Sequence, residues 1–340
     1  MIRYLANRIV TMLITLTVVS ALVFYIINLP PGDFLSNQIA ELQAQGEAAS
    51  VAKAEFLRAQ YSLDEPLWKQ YLIWLGAVPG PDGYSGLLQG DWGWSFEFDQ
   101  PVSEVLGETL WLTVLVNLAA MLFIYAVSLP LGTLAAVRAG GITDYVVAFV
   151  GYLGLATPNF LLALILLYYG QRYLGLPIGG LMDEQFEGAP FSWEKFKSIL
   201  AHLIVPTIVI GTAGTASMIR RLRANLLDEL GKPYVTTAKA KGVGPVKQVV
   251  KYPLRAALNP FVADIGNLLP SLVSGSVLVS VVLSLPTLGP ALLAALRSQD
   301  HYLAGFILLF VSVLTLAGML ISDILLAILD PRIRFGGRGR

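Results

Sequence analysis

Hydrophobic positions along this chain fall in long uninterrupted blocks, and the blocks set the predicted architecture. Ile9 to Leu29 is an uncharged run of 21 residues. About 20 apolar residues cross a bilayer core, so the run predicts a first transmembrane helix. It exceeds the roughly 7–15 residues of a signal-peptide core, and Pro30-Pro31-Gly32 is not a small-residue cleavage site, so it is expected to stay as an anchor. Further blocks predict spans over Thr109–Val137, Tyr145 to about Gln171, Leu200–Ile219, Leu258 to about Leu283, and Tyr302–Leu329. Pro130 and Pro158 lie inside the second and third and are expected to kink them. Leu285-Pro-Thr-Leu-Gly-Pro290 breaks the fifth, and Ala291–Leu296 reads as a short re-entrant or interfacial helix.

The polar segments between the blocks differ in sign. Residues 30–108 carry twelve acidic and three basic residues and read as an extracytoplasmic loop. Within it, Ser50–Gln60 has helical character, and Asp64 is an N-cap candidate for a helix from Pro66 to about Leu75. Trp68, Tyr71, Trp74, Trp92 and Trp94 suit a membrane interface. Gly90-Asp-Trp-Gly-Trp-Ser-Phe96 reads either as a substrate-facing lip or as local packing. Residues 172–199 form a second, acidic outer loop. Between the fourth and fifth spans the sign reverses, because residues 219–260 hold nine of the chain's 23 Lys and Arg. There Pro233 opens a short helical run, Tyr234 to Lys241, that Gly242, Gly244 and Pro245 end. Six spans with both termini cytoplasmic place 16 basic residues inside and seven outside, the arrangement the positive-inside rule favours.

Composition agrees with a membrane protein, at 55% hydrophobic and 14% charged residues, against about 25% charged in soluble domains. With two histidines (His202, His301) and no cysteine, metal constellations are nearly excluded. His202 is expected to be packed or hydrogen-bonded. No Gly-rich loop ending in Gly-Lys-Ser/Thr and no serine nucleophile elbow occurs, so the chain reads as no enzyme and as binding no cofactor directly. The polar residues inside spans carry two readings. Asp264, Ser271, Ser274 and Ser276 in the fifth, with Asn159 in the third, could line a translocation path. Alternatively they serve helix packing and local hydrogen bonding. Asp264 and Asp323 are isolated acids without a basic partner inside the spans, which makes a poor proton relay.

The stretch Tyr234-Val-Thr-Thr-Ala-Lys-Ala-Lys-Gly242 resembles the cytoplasmic loop signature of ABC importer permeases, more narrowly the dipeptide/oligopeptide/nickel family. Other marks agree in order along nearly the whole chain: Leu29-Pro-Pro-Gly-Asp33, Leu63-Asp-Glu-Pro-Leu67, Gly90-Asp-Trp-Gly93, Ala156-Thr-Pro-Asn-Phe160 and Asp330-Pro-Arg-Ile-Arg334. The resemblance implies an all-α, six-helix type I importer permease in the bacterial inner membrane. Its parts are an N-terminal span (1–29), an outer loop (30–108), a five-helix core (109–331) with a coupling loop (220–257), and a cytoplasmic tail (332–340). Tyr234, Thr237, Ala238, Lys239, Ala240, Lys241 and Gly242 would then form the coupling helix that docks on an ATPase subunit. The implied partners are a homologous second permease, two ABC ATPases that use ATP and Mg, an external substrate-binding protein and membrane lipid; no nucleic acid is implied. Peptides are the substrate the resemblance favours, with oligosaccharides, opines and nickel complexes served by the same family. An ion-driven secondary transporter or a membrane scaffold is the competing class. The sequence departs from the family at Tyr252-Pro253, where His and a small or β-branched residue are usual, at Ala256, and through extra residues around Gln38–Ala49.

Overall fold

The computed structural model describes residues 2–32, 34–36, 39, 52, 56–81 and 83–329. Asp33, all of the Gln38–Ala49 insertion but Ile39, residues 50, 51 and 53–55 of Ser50–Gln60, and the tail from Asp330 lie outside the described residues. The described chain is dominated by helices and divides into two compact units.

The first unit comprises residues 2–110 and 287–314. Its N-terminal helix α1 (Ile2–Ile27) is apolar along its length. Helix α2 (Leu67–Leu75) docks on it, with Tyr71 Oη 2.8 Å from Ser20 Oγ and the Phe24 ring 5.4 Å from that of Trp74. Asp64 does not cap α2. Pro66 takes that position, and Asp64 accepts from the Arg58 guanidinium instead (2.9 Å). A two-residue hairpin, β1 (Trp94–Ser95) with β2 (Gln100–Pro101), leads into α3 (Val102–Val137). Buried Asp300 organises this region, accepting from Ser95 Oγ (2.6 Å) and from the backbone N–H groups of Glu97 (3.2 Å) and Leu303 (3.1 Å). Burial pushes its carboxyl above the usual carboxylate range, and these donors oppose the shift. Trp92 stacks on Phe306 at 4.3 Å, and a Cβ on Gly93 would meet the Tyr302 ring at 2.5 Å. The Gly90–Phe96 stretch is thus a packing element here. Helices α14 (Leu288–Ser298) and the start of α15 (His301–Leu329) complete the unit.

The second unit comprises residues 111–286 and the described chain from 315. Past α3, Pro130 is accommodated within an unbroken helix. Pro158 is not. The third predicted span is two helices, α4 (Ile142–Ala156) and α5 (Asn159–Ile165), followed by a π-helical turn and α6 (Gln171–Leu174), and the pair is bent by 96°. Proline disfavours the helical region for the residue before it, and Thr157 sits extended at φ −86°, ψ 117°. The fourth predicted span is longer than its apolar block. Helix α7 (Trp193–His202) runs through Leu203 into α8 (Ile204–Leu230), so Arg220, Arg221 and Arg223 ride on a helix rather than in a loop. His202 is buried, its Nδ1 2.8 Å from the Ser198 carbonyl.

Helix α8 is the axis of this unit, packing against α4, α5 and α7 and burying Val209, Met218, Leu222 and Leu226 in the larger core. Four short helices follow: α9 (Pro233–Ala240), α10 (Pro245–Lys251), α11 (Pro253–Ala257) and α12 (Asn259–Ala263). The fifth predicted span is therefore interrupted at Asp264 before α13 (Ile265–Val282). That break frees backbone carbonyls in an apolar setting, where they need donors. Tyr125 Oη donates to Phe261 O at 2.9 Å, and Ser322 Oγ is shared between Val262 O (2.7 Å) and Ala263 O (2.9 Å). Among the described residues, four helices are long and apolar enough to cross a membrane, or five if the bent pair is one span.

Gly266 on α13 faces the backbone of α15, and a Cβ there would stand 2.8 Å from Met319 Cα. Backbone cannot move aside as a side-chain tip can. Gly266→Ala is expected to destabilise the chain in detergent by about 1–3 kcal/mol, the range for overpacked sites. Gly275→Ala on the same helix meets open space and should be neutral or stabilising. Thermal unfolding of both variants checks the contrast, and equal effects would contradict the close approach of α13 and α15.

Candidate functional site

The segment from Gly231 to Lys251 presents a short, exposed helix on a rigid base. Lys232 is extended, and Pro233 starts α9 at the position where its missing N–H is harmless. At the other end Gly242 adopts φ +73°, and the chain closes a Schellman motif. Val243 N–H donates to Ala238 O (3.2 Å) and Gly242 N–H to Lys239 O (3.0 Å). Both ends of α9 are thus fixed by local backbone chemistry.

Two side-chain contacts fasten α9 to its neighbours. Glu229, in the last turn of α8, accepts from Lys232 Nζ (2.6 Å) and from Tyr234 Oη (2.5 Å). Partial burial and this acceptor push the Tyr234 hydroxyl up to about 12, so it stays a donor at physiological pH. On the far side, Gln248 Nε2 donates to Val235 O at 3.2 Å, tying α10 to α9. Val235 and Ala238, one turn apart, are buried, while Tyr234, Thr237, Lys239, Ala240, Lys241 and Gly242 are exposed. Ala238 therefore seats the helix, and its flanks carry the free surface.

The base itself is held by ion pairs on α8. Arg223 grips Asp144 through Nε (2.5 Å) and a second nitrogen (2.7 Å), and Gly140 N–H donates to the same carboxylate at 2.9 Å. Asp144 is 4% exposed and lies 79 residues from Arg223 in sequence. Arg221 pairs with Asp264 at 2.7 Å, at the break between α12 and α13. One helix thus connects the α3–α4 turn, the broken helix and the base of α9.

Residues 128–335 match the description of the binding-protein-dependent transport system inner membrane component, and residues 1–118 match the N-terminal part of the same membrane component. The chain belongs to that family. Among its relatives are the oligopeptide transport system permease protein AppB of Bacillus subtilis, 33% identical over 337 residues, and the dipeptide transport system permease protein DppB of Escherichia coli K12, 29% identical over 353 residues. The matches cover 98% of this chain in each case, and 100% and 99% of the two relatives. The oligopeptide transport system permease protein OppB of Haemophilus influenzae is 28% identical over 340 residues. These relatives are permease subunits, and the family and the apolar helices together make this chain a multi-pass membrane protein.

The polar residues proposed for a translocation path do not converge on one site. Ser271 and Ser274 share the exposed face of α13, whereas Ser276 is buried and donates to Val273 O at 3.0 Å. Asn159 is half-buried in the first turn of α5, a helix that packs against α13. Asp264 serves the pair with Arg221, one of the basic residues that follow the fourth apolar block, as the local hydrogen-bonding reading expects; α8 extends far enough to supply it. Sequence reading passed over Asp144. An acid at the start of an apolar block was the available signal for Asp144, but nothing local pairs it with an arginine 79 residues away.

Removing Arg223 leaves the Asp144 carboxylate in an apolar site. Breaking a buried pair costs roughly 3–5 kcal/mol, and because Arg223 is itself 35% exposed a loss of about 2–3 kcal/mol is expected for Arg223→Met after solvent screening. Adding Asp144→Asn should recover most of that loss in a double-mutant cycle read by unfolding in detergent. Strictly additive effects would contradict the pairing.

Proposed function

We propose that this chain is the translocating permease of a binding-protein-dependent ABC importer for peptides, with α9 as the helix through which ATPase subunits drive it. The observation that carries the reading is the exposed α9 on its clamped base, in a chain that matches the permease family end to end. The peptide substrate rests on the relatives, whose names state oligopeptide and dipeptide transport.

In this reading the chain crosses a bacterial inner membrane six times, with both termini and the basic segment from Arg220 at the end of α8 through α11 in the cytoplasm. The α12–α13 pair makes the fifth crossing despite its break, because Tyr125 and Ser322 satisfy the carbonyls the break frees. The working transporter contains a homologous second permease, two ATPases that bind ATP and Mg, and an external substrate-binding protein. ATP binding closes the ATPase pair and displaces α9. Glu229 passes that displacement to α8, and α8 carries the α3–α4 turn and the Asp264 break with it through Arg223 and Arg221. Two packed states, biased by nucleotide and by the loaded binding protein, then alternate access to the substrate.

Charge reversal at Lys239 and Lys241, both exposed, should leave folding intact while uncoupling ATP hydrolysis from uptake. Gly242→Asp should do the same, with about 1 kcal/mol of strain from placing a side chain at positive φ. In reconstituted transporter, peptide uptake is expected to fall at least tenfold while binding-protein-stimulated ATPase activity loses its dependence on substrate. Normal uptake by well-expressed variants would refute the role of α9.

A further inference from the structure

A groove of about 320 Å³ runs between α4 and α8, apart from the coupling segment. Its walls are apolar and in part small: Ala148, Gly151 and Leu155 on α4, Ala216 and Ile219 on α8. The volume lies within the roughly 300–1,000 Å³ of sites that hold small molecules. At one end sit Asp144, Arg220 and Arg223. Asp144 is neutralised by Arg223, whereas Arg220 is exposed and makes no hydrogen bond or ion pair among the described residues. Arg138, which donates to Thr143 beside Asp144 at 3.4 Å, adds a further positive charge at the same end. The groove is therefore an apolar channel with a cationic head.

Its length identifies what fits. From Asp144 to Leu155 is eleven residues, about 16 Å at 1.5 Å per residue, or about half of the roughly 30 Å hydrocarbon thickness of a bilayer. Tyr145, Phe149 and Val150 beside it on α4 are well exposed, so the groove opens on a surface suited to hydrocarbon. We infer that the α4–α8 groove binds one acidic phospholipid of the cytoplasmic leaflet, with an acyl chain along Ala148, Gly151 and Ala216 and the phosphate at Arg220. This rests on the membrane orientation given under the proposed function, and basic pockets between membrane helices on the cytoplasmic side recognise anionic headgroups by the same chemistry. The site belongs to α8, so an occupied groove steadies the helix that links α9 to the spans.

The test uses the full-length chain in nanodiscs of phosphatidylcholine doped with phosphatidylglycerol, followed by native mass spectrometry of the retained lipid. Wild type is expected to keep one phosphatidylglycerol in preference to phosphatidylcholine. Arg220→Gln should lower that preference about fivefold, the fold-change of roughly 1 kcal/mol per basic residue at an anionic surface. Gly151→Leu, whose side chain would enter the groove where the nearest Cβ is 4.0 Å away, should abolish retention of either lipid. Equal retention of the two lipids by wild type, or unchanged retention in both variants, overturns the assignment. So does cross-linking of the Ala148→Cys variant to a protein partner instead of lipid. None of these readouts depends on transport, so they distinguish a failed lipid site from a failed importer assignment.

Discussion

A carboxylate in an apolar setting is tolerated beside a cation and expelled without one. Helix α8 supplies the cations here. Arg223 holds Asp144 at the α3–α4 turn and Arg221 holds Asp264 at the α12–α13 break, while Glu229 reverses the polarity and receives Lys232 and Tyr234. Each contact joins α8 to a different element, and each becomes costly if its partners separate. The helix is thereby bound to move with what it holds. Its buried face, from Val205 to Leu226, adds the packing that holds it against α4, α5 and α7.

The broken helices complement α8. A continuous span resists bending, but at Pro158 the helix pair turns by 96°, and the fifth predicted span is interrupted at Asp264. At Asp264 the freed carbonyls are met by hydroxyls of α3 and α15, groups that can exchange one carbonyl for its neighbour, as the shared contacts of Ser322 already illustrate. The Arg221 pair places the grip of α8 at this break. For an importer that alternates between two packed states, stiff connections with defined joints suit the task better than a uniformly soft bundle.

Local chemistry was legible in the sequence and distant pairing was not. The short helix expected over Tyr234–Lys241 runs Pro233–Ala240, because Pro233, Gly242 and Pro245 punctuate it within a few residues. Its exposed flank followed from the signature, but the inward turn of Ala238 needed the packing of α9 on its base. Pro158 signalled a kink, yet the sequence held no measure of the 96° bend, while Pro130 in a similar block stayed inside an unbroken helix. The fourth span outran its hydrophobic block because the arginine-bearing turns of α8 bury Leu222 and Leu226 on one face while exposing charge on the other. Asp64 looked like a cap and instead found Arg58. Asp144 and Arg223 meet only through tertiary structure.

In the proposed function this chain works as one subunit of an ATP-driven assembly that grips α9. Affinity purification of the tagged chain from its native membrane in mild detergent, with ATPase activity assayed on the eluate, tests it most directly. Co-purification of two P-loop ATPase subunits, a homologous permease and a substrate-binding protein is expected, with the ATPase activity of the eluate no longer responding to substrate when Lys239 and Lys241 are reversed in charge. Recovery of the chain alone, without ATPase activity across several detergents, would contradict it.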